Sequence, residues 1–246
     1  MNLIFIDPAM LDDQGEATLT GRALSHAREV LRPSLGDTLK VGLEGGAVGE
    51  AEVLELSGAA LRLRCRFDRA PPATPDTSLL LALPRPQTLK KVLVEATALG
   101  LKRLILVRAR RTEKSYLDSK LLKDERYRDY LRLGLEQCGA TVAPELSVHR
   151  RFRPLIEEQL DGLIGLSGLR ILADLGGARS FAELRPGEGP VTLAIGPEGG
   201  WVPFERELLA QRGFETRSLG DRVLRVETAT IAALAQIDLL RRAPLS

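Results

Sequence analysis

The stretch Val191-Thr192-Leu193-Ala194-Ile195-Gly196-Pro197-Glu198-Gly199-Gly200-Trp201-Val202-Pro203 decides the fold. An apolar run of strand length leads straight into a loop with three glycines, and Pro203 then suits the first position of a helix, with Glu205 and Glu207 in its first turn. Glycine lets the backbone approach a ligand closely, so the loop itself is a candidate cradle. It lacks the Gly-Lys-Ser/Thr ending of a Walker loop and the Gly-x-Gly-x-x-Gly spacing of a dinucleotide site. Glu198 would also repel a pyrophosphate, so a cationic or neutral ligand fits better.

The same alternation extends outward. Apolar runs at 79–83, 104–107, 170–173 and 214–219 read as strands, and amphipathic segments at 86–99, 116–138, 203–212 and 227–241 read as helices. Strands alternating with helices predict an α/β domain with helices covering a mostly parallel sheet, and such sheets bind ligands at loops leaving strand ends. A second loop of that kind is Leu219-Gly220-Asp221-Arg222-Val223-Leu224-Arg225-Val226-Glu227-Thr228-Ala229. Glu227 or Thr228 there could satisfy free amides at a helix start. Two such loops can wall one pocket; each alone is equally readable as a capped connection with solvated arginines.

The first seventy residues have a different period. Short apolar runs at 3–6, 38–41, 51–56 and 60–67, broken by glycine, predict a small barrel or sandwich with one helix at 21–31 that stops before Pro33. Pro71-Pro72-Ala73-Thr74-Pro75 interrupts any regular element. The domain expectation is therefore 1–70, a linker at 71–78, and 79–246.

The 246 residues are 44% apolar and 28% charged, which describes a globular chain. No signal-peptide pattern and no apolar run of spanning length occurs, so the default expectation is a cytoplasmic protein without membrane attachment. Two cysteines and two histidines predict neither a disulfide framework nor a metal site. Cys65 and Cys138 are read as small buried side chains, and His149 as structural or surface. The net charge of +2 hides an uneven distribution. Segment 1–70 has 8 Lys/Arg against 11 Asp/Glu, whereas 85–132 has 14 against 6 and includes Arg108, Arg110 and Arg111. In the first part, Arg62, Arg64 and Arg66 alternate with apolar residues and would share one strand face. Both groups are candidate nucleic-acid contacts; ordinary solvated surfaces, and for the second group subunit packing, are the alternatives.

At the two loops the chain resembles the ribosomal RNA small-subunit methyltransferase E family, the SPOUT branch that forms N3-methyluridine. The resemblance rests on Ile195 to Gly200, Leu219-Gly220 and Arg222 to Thr228. Weaker matches at Glu136-Gln137-Cys138-Gly139 with Pro144-Glu145, at Ala96 to Gly100 and at His26 to Arg32 extend it over nearly the whole chain. It implies a C-terminal α/β trefoil-knot domain with an N-terminal PUA-like β-barrel that binds RNA, S-adenosylmethionine as cofactor, small-subunit rRNA or the assembled subunit as partner, and a homodimer. General rules of chain topology would not have anticipated the knot.

Carried onto this sequence, the resemblance places the cofactor among Ile195, Gly196, Pro197, Glu198, Gly199 and Gly200 on one side. Leu219, Gly220, Leu224, Arg225, Glu227, Thr228 and Ala229 form the other side, with Leu172 near the first knot loop. Arg225 would stabilise the uridine anion, and Glu198 or Glu227 would orient the base or relay its proton. Arg22, His26 and Arg32 join the RNA candidates. The chain departs from the family pattern at Ala98, at Ala140-Thr141-Val142, at Leu172-Ala173-Asp174 and at Lys114-Ser115-Tyr116, which marks a divergent subgroup. Ile231, Leu234, Ile237 and Leu240, at helical spacing, are a candidate dimer face or a core stripe. Rival readings are an RNA-binding or ribosome-assembly protein with a vestigial cofactor pocket and a metabolic enzyme that holds a nucleotide.

Overall fold

The computed structural model describes residues 3–177 and 179–242. It divides into two units, Met1–Ala73 with Arg132–Ala143, and Thr74–Leu131 with Pro144–Ser246.

The first unit holds β1 (Ile4–Ile6), β2 (Glu16–Leu19), α1 (Gly21–His26), β3 (Thr38–Leu43), β4 (Val48–Leu56) and β5 (Leu61–Arg69). The strands form one curled half-barrel sheet in the order β1-β3-β4-β5-β2. Two register shifts between β4 and β5, at Val48/Gly49 and Val53/Glu55, mark bulges, which bend a strand and raise its local twist. Only glycine fits at position 49, where a Cβ would lie 1.9 Å from the Arg66 carbonyl oxygen. The inward residues Ile6, Leu19, Leu61 and Leu63 are fully buried. The helix expected at 21–31 forms, but its second half (Ala27–Leu31) is π-helical and ends at Arg32 with φ 47. Residues 132–143 group with this unit: Arg132 Nη2 donates to the Phe5 carbonyl (3.0 Å), and the Leu3 N–H donates to Glu136 O (3.0 Å).

The second unit contains β6 (Thr77–Ala82), α2 (Pro86–Ala98), β7 (Arg103–Val107), α3 (Lys120–Lys123), the start of α4 (Tyr127–Cys138), β8 (Glu145–His149), α5 (Phe152–Pro154) and α6 (Leu160–Ile164). Then follow β9 (Leu169–Ala173), β10 (Arg179–Ser180), β11 (Val191–Ile195), α7 (Pro203–Gln211), β12 (Glu215–Ser218) and α8 (Val226–Arg242). Its seven strands are parallel, in the order β10-β12-β9-β11-β6-β7-β8. The period of two sorts each strand between two cores. Leu79, Leu81, Leu104, Leu106, Leu193 and Ile195 face α2 and α8, while Leu80, Ala82, Ile105, Val107, Ala194 and Leu172 face α5, α6 and α7. Burial on both faces is why these strands read as continuous apolar runs.

The sequence expectation is revised in two places, and one pair of alternatives is narrowed. The helix expected at 116–138 is broken into a 3₁₀ turn (Lys114–Asp118), α3 and α4, with Glu125 at φ 51 between the last two. The break lets Leu117, Leu121 and Leu131 enter one core. The stripe on the last helix is mainly core: Leu234 and Ile237 are buried and Leu240 packs against the same cluster. Cys138 is exposed and Cys65 only half-buried, its thiol pushed up to about 11 by burial.

Candidate functional site

Chain order reverses in the parallel sheet between β11 and β6, and the chain leaves β9, β11 and β6 side by side at their carboxyl ends. Open α/β sheets form ligand crevices at such a reversal. A cavity of about 550 Å³ opens there, within the usual range for small-molecule sites. The 196–201 loop after β11 and the 219–227 connection into α8 form its main walls. Arg85 and Thr88 at the start of α2, with Ala173, Asp174 and Leu175 after β9, complete it.

Each wall has a local cause. The Gly200 N–H donates to Pro197 O (2.7 Å) with Gly200 at φ +71, a left-handed position that glycine occupies without strain. A Cβ at Gly196 would lie 3.1 Å from the Trp201 ring, so the strand exit passes flat against the indole. Trp201 itself is 1% exposed and packs on Phe152 with ring centroids 5.4 Å apart. Glu205, 2% exposed, holds the loop from below: its two carboxylate oxygens accept from the Val202 N–H (3.0 Å) and the Arg110 N–H (2.7 Å). Arg111 donates to the Gly199 carbonyl. In the second wall, the Ser218 hydroxyl donates to Gly220 O (2.9 Å) and accepts from the Gly220 N–H (3.1 Å).

Charges alternate around the cavity. Glu198 accepts from the Arg85 backbone N–H (3.4 Å) and lies 3.9 Å from its guanidinium. Glu227 pairs with Lys91 (3.3 Å). Its carboxyl is held below the usual carboxylate range, first by its own backbone N–H at the start of α8 and then by Lys91 and Arg225, against the opposing effect of burial. Asp174 pairs with Arg206 (3.4 Å). The side chains of Arg222 and Arg225 border the space without a hydrogen bond or ion pair among the described residues.

A model of an RNA methyltransferase domain family matches residues 72–238. The ribosomal RNA small subunit methyltransferase E of Treponema pallidum is 31% identical over 220 residues, covering 86% of this chain and 80% of that protein. The chain belongs to the ribosomal RNA small subunit methyltransferase E family. It is therefore an enzyme, an S-adenosylmethionine-dependent methyltransferase. The family member of Synechocystis is 29% identical over 92% of this chain and 74% of its own length. The fold matches that of the family enzyme from Neisseria gonorrhoeae, solved bound to S-adenosyl methionine, with a TM-score of 0.76 at 21% identity over 98% of each chain. A methyltransferase from Legionella pneumophila, in complex with the same cofactor, gives 0.75 at 23% identity over 97% of this chain and 98% of that one.

For this family member, the cavity gathers Ile195, Gly196, Pro197, Glu198, Gly199 and Gly200 with Leu219, Gly220, Leu224, Arg225, Glu227 and Ala229. Two residues expected there do not line it. Leu172 points into the core beneath, 1% exposed among Ala194, Trp201 and Leu209, and its strand reaches the cavity one residue later, at Ala173. Thr228 is exposed on the first turn of α8, away from the lining. Arg85, Thr88, Asp174 and Arg206 escaped sequence reasoning. A strand-exit signal existed for Arg85, in Pro84-Arg85-Pro86, and for Asp174, directly after β9. None existed for Thr88 or Arg206, which are brought in by helix packing.

The RNA candidates are scattered. Arg111 lines the cavity, and Arg108 and Arg110 lie in the same loop after β7. Arg62, Arg64 and Arg66 share the exposed face of β5, Arg22 is exposed on α1, Arg32 is exposed beyond it, and the His26 Nε2 is buried without a partner. No group of three or more His, Cys, Asp or Glu among the described residues is placed to hold a metal ion, and no helix among them is long and apolar enough to cross a membrane.

Proposed function

We propose that this chain methylates N3 of a uridine in small-subunit ribosomal RNA, and that the cavity between the 196–201 loop and the 219–227 connection holds S-adenosylmethionine. The carrying observation is the meeting of those two loops, distant in sequence, around one space of cofactor size. The residues suit the cofactor: glycine backbone offers flat walls, and the lining sets carboxylates and guanidiniums side by side around a ligand that carries both a sulfonium and a carboxylate. When bound, the cofactor supplies an already activated methyl group, so the protein's task is positioning and charge stabilisation.

Uridine N3 must lose its proton before it accepts a methyl group. Arg225, at the cavity edge with no side-chain hydrogen bond or ion pair among the described residues, stabilises the developing anion through O2 or O4. Glu227, with its carboxyl already held low, is a weak base and anchors the start of α8 to Lys91. Glu198 is the freer carboxylate, and it orients the base or relays its proton. The N-terminal half-barrel serves as the PUA-like domain, and the loops after β9, β11 and β12 take the threaded arrangement of the family. The enzyme acts as a homodimer in the cytoplasm. Leu175 (49% exposed) and Val223 (83%) at the cavity mouth are apolar groups that a second copy would cover.

The test is transfer of labelled methyl from S-adenosylmethionine to small-subunit rRNA that lacks the modification, with nucleoside mass spectrometry of the product. The reading requires 3-methyluridine at a single position; cofactor binding with no transfer to either naked rRNA or assembled subunits rejects it.

A further inference from the structure

The arginines outside the cavity fall into two classes that the sequence does not distinguish. On β5 each is already paired with a carboxylate, Arg62 and Arg64 across the register and Arg66 along its own strand. Arg64 stands opposite Glu16 on β2 and Glu52 on β4, and Arg62 opposite Glu55. Arg62 lies 3.2 Å from Glu16 and 3.8 Å from Glu55, Arg64 3.3 Å from Glu16 and 3.5 Å from Glu52, and Arg66 2.8 Å from Asp68. A phosphate arriving there would meet the carboxylates together with the guanidiniums, so little net attraction remains.

The carboxyl edge of the parallel sheet is arranged differently. Ala82, Val107 and His149 are register partners on the adjacent strands β6, β7 and β8, so the chain leaves all three at one level, into segments carrying Arg85, Arg108 and Arg150. The loops there are tied down: the Arg108 N–H donates to His149 O (3.0 Å) and the Arg110 N–H to Glu205 (2.7 Å). Yet the side chains of Arg108, Arg110 and Arg151 make no hydrogen bond or ion pair among the described residues. With strands about 4.8 Å apart, the row spans roughly 10 Å and begins at the cavity, which Arg85 and Arg111 border. Along this edge Arg85 lies 3.9 Å from Glu198 and Arg150 4.0 Å from Asp118, which leaves Arg108, Arg110 and Arg151 as the unpaired guanidiniums, whose planar forks match phosphate oxygens.

We infer that the RNA strand carrying the target uridine runs along this edge, its phosphates held by Arg108, Arg110 and Arg151, and that the Arg62, Arg64 and Arg66 stripe takes no part. This rests on the reading of the chain as an rRNA methyltransferase. It adds where the strand lies and which arginines it ignores.

Filter binding of an unmodified small-subunit rRNA transcript over a salt titration tests it, with two triple variants, R108Q/R110Q/R151Q and R62Q/R64Q/R66Q. Each lost phosphate contact on a single strand removes about 0.7 from the slope of log affinity against log salt. The edge variant is expected to lose about 2 from the slope and at least about tenfold in affinity at low salt, with the stripe variant within about twofold of the unaltered protein. Thermal midpoint and S-adenosylmethionine affinity report whether either variant is misfolded, and the three single edge variants, each losing about a third of the slope change, replace a triple that is. An edge variant with an unchanged slope, or a stripe variant that loses as much, overturns the inference. Methyl transfer is measured in parallel: RNA held through the edge arginines without being methylated would sink the enzymatic reading while the binding surface stood.

Discussion

Arg225 and Glu227 lie two positions apart at the start of α8, and their chemistry separates them. Arg225 makes no hydrogen bond or ion pair among the described residues and acts on Glu227 only through its charge, whereas Glu227 is tied to Lys91 and to its own backbone N–H. Replacing Arg225 with alanine should lower kcat by about 10²–10³, the range for losing one donor to a developing anion, and leave cofactor affinity within a few-fold. Single-turnover methyl transfer beside equilibrium dialysis reads both, and an unchanged rate would remove Arg225 from catalysis. For Glu227 the sign follows from its lowered carboxyl. A group whose pKa is depressed on folding contributes stability above the unfolded value, near 4.3 for Glu, and loses it as pH falls through the folded one. Lys91→Met should therefore reduce the thermal midpoint at neutral pH, by an amount that shrinks to nothing as the carboxyl protonates in acid. A deficit independent of pH would mean that Lys91 acts through packing alone.

The two loops are positioned by elements behind them. Glu205, in the first turn of α7, joins the 196–201 loop to the loop after β7 by accepting from two backbone amides. Glu205→Ala removes the acceptor of two part-buried backbone donors, which should cost about 1–3 kcal/mol in urea unfolding and raise KM for the cofactor more than it lowers kcat. Leu172 makes the complementary case, since it packs in the core under the cavity. Leu172→Ala should cost about 2–5 kcal/mol, with cofactor affinity of the folded fraction unchanged. A large affinity loss without destabilisation would return Leu172 to the cavity wall. Elements with strict periodicity were legible in the sequence: β11 spans Val191–Ile195 as read, and α2 is one residue shorter than expected. The 116–138 helix was not, because its apolar spacing persists through a backbone break at Glu125 that only core packing imposes.

Leu239 on α8 is 66% exposed, beside the core stripe of Leu234 and Ile237, and Val223 at the cavity mouth is 83% exposed. If a second copy covers them, Leu239→Glu with Val223→Glu should shift sedimentation from dimer to monomer and cut methyl transfer, with the fold retained by circular dichroism. A double variant that stays dimeric would place the contact elsewhere.

Composition, periodicity and the two glycine-bearing loops already determined an α/β chain with a separate strand-rich part, and they placed most of the cavity wall, because strand exits and glycine turns are local features. Tertiary structure alone decided which distant residues join that wall, such as Thr88 and Arg206, and that residues 132–143 belong with the N-terminal sheet. It also decided which arginines keep their charge available. An arginine looks the same in sequence whether or not a carboxylate faces it across a strand pair, and that facing is set by register, which is a property of the folded sheet.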